Sequence, residues 1–408
     1  MSRRKTLLDN PESREARRLL PLIATITGLG VLGFAIISPA LPELAAELGV
    51  SRGAIGLVQG AIALPGVFLA GYIGFLADSI GRRRVIRVSL IIFGVAGLGC
   101  FFARSYWLLV AARLIQGLGT SALLGLGVVV IGDAFTGTRR RWAMGVNLAA
   151  LTAVTTLAPI AGGFLAEGGA FRPFLVFGIA FPVFVMARRL PDVTVEVKPS
   201  SATAHLRDAL GHLRSRGKLS DFLGMLPMSF LTLGIFLGLG LTVLPLYLET
   251  EFGLSVSRRG MIQAILSASS STASILSGRI GSRFIPRQVL TAGFGFMVVG
   301  FLVVATAPSL VVLPVGLILL GAGTGSIFPM LQDYSASVGP DQYRGILVGT
   351  WVSANRVGQF VGPSAGTAVA SSFGERTAYL VGAALMAMVA VTWRPARRVA
   401  RRLVARRD

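Results

Sequence analysis

Apolar runs of membrane length alternate with short polar turns from one end of the chain to the other. A helix needs about 20 apolar residues to cross ~30 Å of hydrocarbon. By that measure the pattern predicts twelve spanning helices, roughly 20–40, 53–76, 86–103, 106–132, 142–166, 171–187, 222–247, 260–278, 288–307, 309–332, 346–372 and 377–393. The sixth and the last are short. Between the second and third runs lies the most distinctive turn, Gly71 to Arg87 (GYIGFLADSIGRRRVIR). A lone aspartate, Asp78, is followed there by Gly81 and by Arg82, Arg83, Arg84 and Arg87. A tight basic turn between two membrane-length segments is a turn held on one side of a bilayer. Asp78 is placed to accept hydrogen bonds from an arginine or from the exposed amides of a neighbouring helix N-terminus.

Composition sharpens this. Of 408 residues 53% are hydrophobic and 14% charged, against roughly 25% charged in an average soluble domain. The chain reads as an all-α integral membrane protein. Its net charge of +21 raises nucleic acid as a partner, but DNA-binding arginines gather on one folded face. Here they fall in short blocks between apolar runs, so no nucleic-acid partner is expected. With the N-terminus in the cytoplasm, inner loops and tails hold 31 of the 39 Lys and Arg, and outer loops hold 6 (Arg52, Arg104, Arg172, Arg258, Arg259, Arg376). That asymmetry follows the positive-inside rule and puts both termini in the cytoplasm of a multi-pass protein of the plasma (inner) membrane. The basic stretch Met1 to Leu19 has no small-residue cleavage site and reads as a cytoplasmic tail. The single cysteine, Cys100, excludes a disulfide framework. His205 and His212, seven residues apart without a further ligand, read as surface histidines.

The one long connection, 188–220, carries Leu206, Leu210 and Leu213 at helical spacing with basic residues opposite, the pattern of an amphipathic helix lying at the membrane surface. It separates related halves. A shift of 204 residues superposes Gly74 on Gly278, Gly117 on Gly321, Gly145 on Gly349, Pro159 on Pro363 and Gly162 on Gly366. The domains expected are a first six-helix bundle with its tail (1–187), the linker (188–220) and a second six-helix bundle with a basic tail (221–408). Two parallel repeats related by a pseudo-two-fold axis along the membrane normal place a binding site between them near the midplane.

These residues resemble the major facilitator superfamily along nearly the whole chain. Gly74-Phe-Leu-Ala-Asp78-Ser-Ile-Gly81-Arg82-Arg83-Arg84 is similar to the family's signature loop between helices two and three, and the second copy has Ser282 where Asp78 would fall. The resemblance implies a cytoplasmic latch between the halves at Gly74, Asp78, Gly81, Arg82 and Arg83. Arg113-Leu-Ile-Gln116-Gly117 in helix four resembles the RxxQG motif of proton-coupled members. An arginine inside a span costs roughly 2.5–3.5 kcal/mol and normally faces a cavity or partner, although Arg113 is also near enough to a helix end to snorkel. Gly145 and Ala158-Pro159-Ile-Ala-Gly162-Gly163 in helix five resemble the GPxxGG motif of the efflux antiporters. Ala158 replaces the first glycine of that core, and close packing explains the same residues equally well. Helix eleven repeats the pattern at Gly362-Pro363 and adds Asn355, Arg356 and Gln359, either as cavity groups or, for Arg356, as partner to a cytoplasmic-end carboxylate. Phe34, Phe230, Phe236 and Phe328, with Thr152, Thr155 and Thr156, are candidates for the lining.

No acidic residue lies near the middle of a predicted span, so the proton carrier common in such transporters is not visible. A P-loop, a nucleophile elbow and an HExxH pair are all missing from the sequence, which argues against ATP-driven transport and against an enzyme. The expected protein is a monomeric secondary active transporter in the lipid bilayer. It needs no cofactor, draws on the proton gradient, and exports drugs or other amphipathic small molecules by proton antiport. A proton symporter or metabolite exporter of the same fold is the alternative within transport. A membrane sensor is the alternative outside it, and the loops are too short for an output domain.

Overall fold

In hydrocarbon every backbone amide must find its partner inside the protein, and a helix does so locally. The apolar runs accordingly fold as helices in the computed structural model, which describes residues 14–190, 202–280 and 286–392. The tails, the middle of the linker and the second basic turn with Ser282 lie outside the described residues, as do the side chains of His205 and Gly278. In order come α1 (Arg14–Ala35), α2 (Leu41–Glu47), α3 (Ile55–Ala61), α4 (Leu64–Ile80), α5 (Arg82–Phe102), α6 (Tyr106–Ala134), α7 (Gly137–Ala166) and α8 (Ala180–Met186). Then follow α9 (Ala202–Ser215), α10 (Leu219–Ile235), α11 (Leu244–Phe252), α12 (Val256–Ile280), α13 (Pro286–Thr306), α14 (Leu313–Ser337), α15 (Asp341–Phe373) and α16 (Glu375–Thr392). There is no strand among the described residues. Among the described residues seven helices are long and apolar enough to cross a membrane, eight if the bent pair Ile55–Leu69 and Tyr72–Ile80 is one span. α12 and α15 are as long, but serines from Ser267 to Ser271 and the group Asn355, Arg356 and Gln359 make their middles more polar. Large apolar side chains such as Val88, Val95 and Val391 are exposed, as a lipid-facing surface requires.

The buried apolar side chains form two large clusters. One is drawn from Leu20 to Leu190 with only Leu246 added, the other from Ala209 to Val389. The same helix neighbours recur in both: α5 on α6 and α13 on α14, α4 on α6 and α12 on α14, α1 on α7 and α10 on α15. Two small clusters bridge them, Phe34, Ile62 and Ala63 with Phe360, and Ala40 and Ala166 with Val256. The contacts between halves are made by α7 on α12 and by α3 and α4 on α15. They are closest where glycine meets backbone: Gly260 lies on the Pro159 carbonyl, and Gly56 on the Pro363 carbonyl. These two contacts are themselves related by the 204-residue offset, and a Cβ at either glycine would collide with the facing carbonyl.

The turns define two faces. The basic end carries the turns at Gly81 and Gly137, and the far end carries those at Gly49, Gly169, Gly253 and Gly374. Gly81 joins α4 to α5 at φ 101°, a backbone that a side chain would strain. Gly253 (φ 60°) closes α11, with its amide donating to the Glu249 carbonyl at 2.9 Å, a left-handed helix cap.

Three elements depart from the sequence expectation. The sixth predicted span is broken into a 3-10 turn (Arg172–Ile179), α8 and a second 3-10 turn (Ala187–Arg189), because Pro173, Gly178 and Pro182 interrupt a single helix. Between α10 and α11 the chain widens into a π-helix, Phe236–Val243. The linker helix α9 packs on protein: Ala209 and Leu213 are buried in the second cluster, and α9 contacts α10 and α15.

Candidate functional site

A cavity of about 210 Å³ lies where the two halves face each other. The first half contributes Val31, Phe34 and Ala35 from α1, Leu124 from α6 and Thr155 from α7. The second half contributes Leu233, Phe236, Leu237 and Leu241 around the π-helix, Ser267, Ser270 and Ser271 from α12, and Gln359 from α15. The wall is therefore apolar with a band of hydroxyls and one amide, and it holds no carboxylate. The wide π turn brings Phe236, Leu237 and Leu241 to this wall; such turns commonly mark functional positions within helices. Of the other aromatic candidates, Phe230 lines a separate apolar crevice of about 150 Å³ among α10, α15 and α16. Phe328 stacks on Trp351, 5.2 Å between ring centres. Thr155 faces Ser271 across the halves at 3.5 Å.

Arg356 sits one helical turn from Gln359 and donates to its Oε1 at 2.9 Å. It is 7% exposed, and no carboxylate pairs with it among the described residues. Its Cδ and Nε lie beside Gly66 of the opposite half. The gate partnership with a carboxylate at the helix end is thus not made. Asn355, also buried, donates to the Trp351 carbonyl at 3.1 Å and does not reach the cavity wall.

Arg113 behaves differently. It is fully buried and each of its three side-chain nitrogens donates: Nη2 to the Gly33 carbonyl at 2.8 Å, Nε to the Val58 carbonyl at 3.2 Å and Nη1 to Gln116 Oε1 at 2.7 Å. It neither snorkels nor lines the cavity. It ties α1, α3 and α6 together within the first half, and Gly117 beside it lets α6 lie against the Ile62 carbonyl.

The far end is shut by polar bonds between the halves. Arg259, 1% exposed, pairs with Glu43. Ser257 donates to Glu167, Arg52 pairs with Glu249 at 2.9 Å, and Thr367 donates to the Gly53 carbonyl at 2.8 Å. Below them Gln263 donates to Ser38 Oγ at 2.6 Å, and Ser38 donates to the Leu241 carbonyl, a carbonyl of the π-helix. The motif residues of α7 belong to this closure. The Pro159 carbonyl meets Gly260, Gly163 lies on the Val256 carbonyl, and Gly162 lets α7 approach Ile36 of its own half. Pro363 takes the matching place on α15.

Toward the basic end, Gly74 on α4, Gly145 on α7 and Gly349 on α15 meet open space: a Cβ at each would touch nothing within 4 Å. The signature turn is organised inside the first half. Arg82, 8% exposed, bridges Asp78 at 3.1 Å and Asp133 at the end of α6. Arg83 donates to the Arg188 carbonyl at 3.5 Å. The Asp78–Arg82–Asp133 cluster does not itself cross to the second half.

The structure thus brings Arg356, Gln359, Thr155, Phe34 and Phe236 to one place, and sets Arg113, the Asp78 cluster and the Pro159 motif at three others. The far-end residues Ser38, Glu43, Arg259 and Gln263 were missed from the sequence. One signal was there: Arg52, Arg259 and Arg376 fall at the end poor in basic residues, where Glu43, Glu249, Glu251 and Glu375 also lie.

The family model that matches is described as the Major Facilitator Superfamily, over residues 23–269 and 228–408. The multidrug resistance protein MdtG of Escherichia coli is 25% identical over 383 residues, spanning 90% of this chain and 91% of that protein. Among solved structures, a bacterial homologue of the human lysosomal transporter Spinster, described as inward-facing and unoccupied, superposes with a TM-score of 0.78 at 16% identity, over 94% of this chain and 98% of that one. The human organic anion transporter MFSD10 (TETRAN) superposes with a TM-score of 0.69 at 21% identity, over 93% and 99%.

Proposed function

The chain belongs to the Major Facilitator Superfamily, a family of multi-pass membrane transporters and not of enzymes, and from that premise we propose that it is a secondary active transporter that exports amphipathic small molecules in exchange for protons. Alternating access requires a site between two rigid bodies with a gate on either side. The cavity carries this reading: it lies between two separately packed halves and is shut at the far end by bonds that cross between them. Twelve spans in two pseudo-symmetric bundles, 1–187 and 221–408, account for the recurring helix neighbours and the glycine–carbonyl contacts related by the 204-residue offset. With the basic end in the cytoplasm of the plasma membrane, where positive-inside retention puts it, the conformation is inward-facing.

The similarity to MdtG, together with the mixed apolar and hydroxyl wall, supports amphipathic cargo and the export direction. The resemblance of the Arg113 and α7 stretches to the motifs of proton-coupled and efflux members supports proton antiport; the three-bond clamp around Arg113 assigns that residue to holding the first half rigid as the halves move. The Asp78–Arg82–Asp133 cluster is the basic-end latch, poised to take partners from the second half when that end closes. A monomer suffices, since one chain supplies both walls of the cavity.

Proteoliposomes under an imposed pH gradient, loaded with fluorescent amphiphiles and followed for internal pH, test this. Substrate movement against its gradient with protons moving the opposite way is expected. Substrate and protons moving together would make the protein a symporter, and no saturable flux of any amphiphile would remove the transport reading.

A further inference from the structure

We propose that the cavity's cargo is an amphipathic organic anion and that Arg356 is its charge partner; this deepens, and rests on, the transport reading above. The buried arginines are not alike in what surrounds them. Arg82 lies between two carboxylates, Arg259 meets Glu43, and Arg113 spends its fork on two carbonyls and an amide oxygen. Arg356 has one acceptor, Gln359 Oε1, for a group that carries five N–H donors. Gln359 lines the cavity, whose wall contains no acid. Along the chain the carboxylates nearest in sequence to the middles of the long helices still sit at helix ends, such as Asp78, Asp133 and Asp333.

Position makes this charge part of the moving machinery. Arg356 lies near the middle of α15, and its stem crosses to Gly66 of α4; a Cβ there would come within 3.1 Å of its Nε. While the basic end is open, water in the cavity reaches only the small part of Arg356 that is exposed, 7%. When that end closes over the cavity the water must leave, and an unpaired cation is then expensive in low dielectric. An anion in the cavity offsets that cost only in the closed state, so it favours closure; a ligand moves such an equilibrium through the difference in its affinity for the two states. A cation would add to the cost. Phe34, Phe236 and Leu237 supply a wall for an aromatic body, and Ser267, Ser271 and Thr155 supply hydroxyl donors for a carboxylate or sulfonate.

The test uses three molecules with one body and different charge: 1-naphthalenesulfonate, 1-naphthylmethylammonium and 1-naphthalenemethanol. Their flux is measured with the full chain in proteoliposomes, and their binding with the purified protein. Saturable flux of the sulfonate is expected, with the ammonium compound excluded. Arg356→Gln should weaken sulfonate binding by about tenfold or more, the scale of a lost charge-assisted hydrogen bond, and Arg356→Lys should retain much of it. Arg356→Gln is accepted as folded only when it elutes as a single species and keeps the wild-type melting temperature in the absence of ligand. A variant that fails this check passes the test to Gln359→Glu, which sets a carboxylate within reach of the guanidinium and should abolish the preference for the sulfonate over the ammonium compound. Transport of the ammonium compound in place of the sulfonate would overturn the proposal while the transport reading stood. Equal binding of all three, or a sulfonate affinity indifferent to Arg356, would overturn it as well. No flux of any compound and no accompanying pH change would remove the transport reading and the proposal together.

Discussion

Arg113→Ala is expected to cost most of the protein's thermal stability in detergent, and transport with it. The guanidinium is the only donor shown for the Gly33 and Val58 carbonyls beyond the helices' own ladders, and it also holds Gln116. Leaving a buried acceptor without its donor costs about 1–3 kcal/mol, so three of them amount to roughly 3–9 kcal/mol on the same scale. That compares with a total stability of about 5–15 kcal/mol for a typical domain. The site is fully buried. Arg113→Lys keeps the charge but not the planar fork, and a single ammonium cannot reach three acceptors that lie in different directions. It should melt between wild type and alanine. Melting of the purified variants, followed by tryptophan fluorescence, measures this. An alanine variant with the wild-type melting temperature and no proton-driven flux would instead make Arg113 a coupling group without a structural part.

Glu43→Gln is expected to move the conformational equilibrium and to leave each half folded. Glu43 belongs to the first half and Arg259 to the second, so their bond exists only when the far end is shut. Arg259 is 1% exposed, and its Nε and Nη1 have no other hydrogen bond. Breaking a buried pair from one side costs about 3–5 kcal/mol. The Glu43 side chain is 31% exposed, which favours the lower figure, and about 3 kcal/mol is still a population shift of roughly 100-fold. Ala166, buried at 4% in the small cluster that bridges the far end, reports that shift. In an Ala166→Cys background a membrane-impermeant maleimide should react slowly, and Glu43→Gln should accelerate it. Arg259→Gln should do the same, and the double variant should add little to either, as expected for one shared interaction. Unchanged labelling would show that the far end is held shut by the glycine contacts alone.

Much of the architecture was legible because hydrocarbon imposes one rule on every span. Apolar length marks the helices, the arginine blocks gather at one end, and the constant offset of glycines and prolines recurs in the paired contacts of Gly56 with Pro363 and Gly260 with Pro159, which the proposed repeat accounts for. What escaped depends on contacts far apart in sequence or on local geometry that no composition encodes. Phe236–Val243 reads as an ordinary apolar helix, yet it takes the wide π turn that frees the Leu241 carbonyl for Ser38 and Gln263. The sixth run is apolar enough to suggest a span, but Pro173 and Pro182 break its hydrogen-bond ladder.

The two intramembrane arginines show the same limit. Both precede a glutamine by three residues and both bond to it, so local sequence does not tell them apart. Gly33 and Val58 turn one into a structural clamp, while the other lies beside Gly66 of the opposite half with Gln359 as its one acceptor. Pairing across the far end is hidden for a different reason: its partners, such as Glu43 and Arg259 or Arg52 and Glu249, lie some two hundred residues apart, and no local pattern joins them.

Alternating access itself is tested most directly by two distances measured in one protein. The single native cysteine, Cys100, is buried, so spin labels can be placed at introduced cysteines without competition. One pair, Arg104→Cys with Ser309→Cys, spans the far end; the other, Thr138→Cys with Ser337→Cys, spans the basic end. In the resting protein the far-end pair should give its short distance and the basic-end pair its long one. Adding Glu43→Gln should lengthen the first and shorten the second together. Two distances that stay fixed, or that lengthen in step, would contradict a transporter whose halves rock about a central cavity.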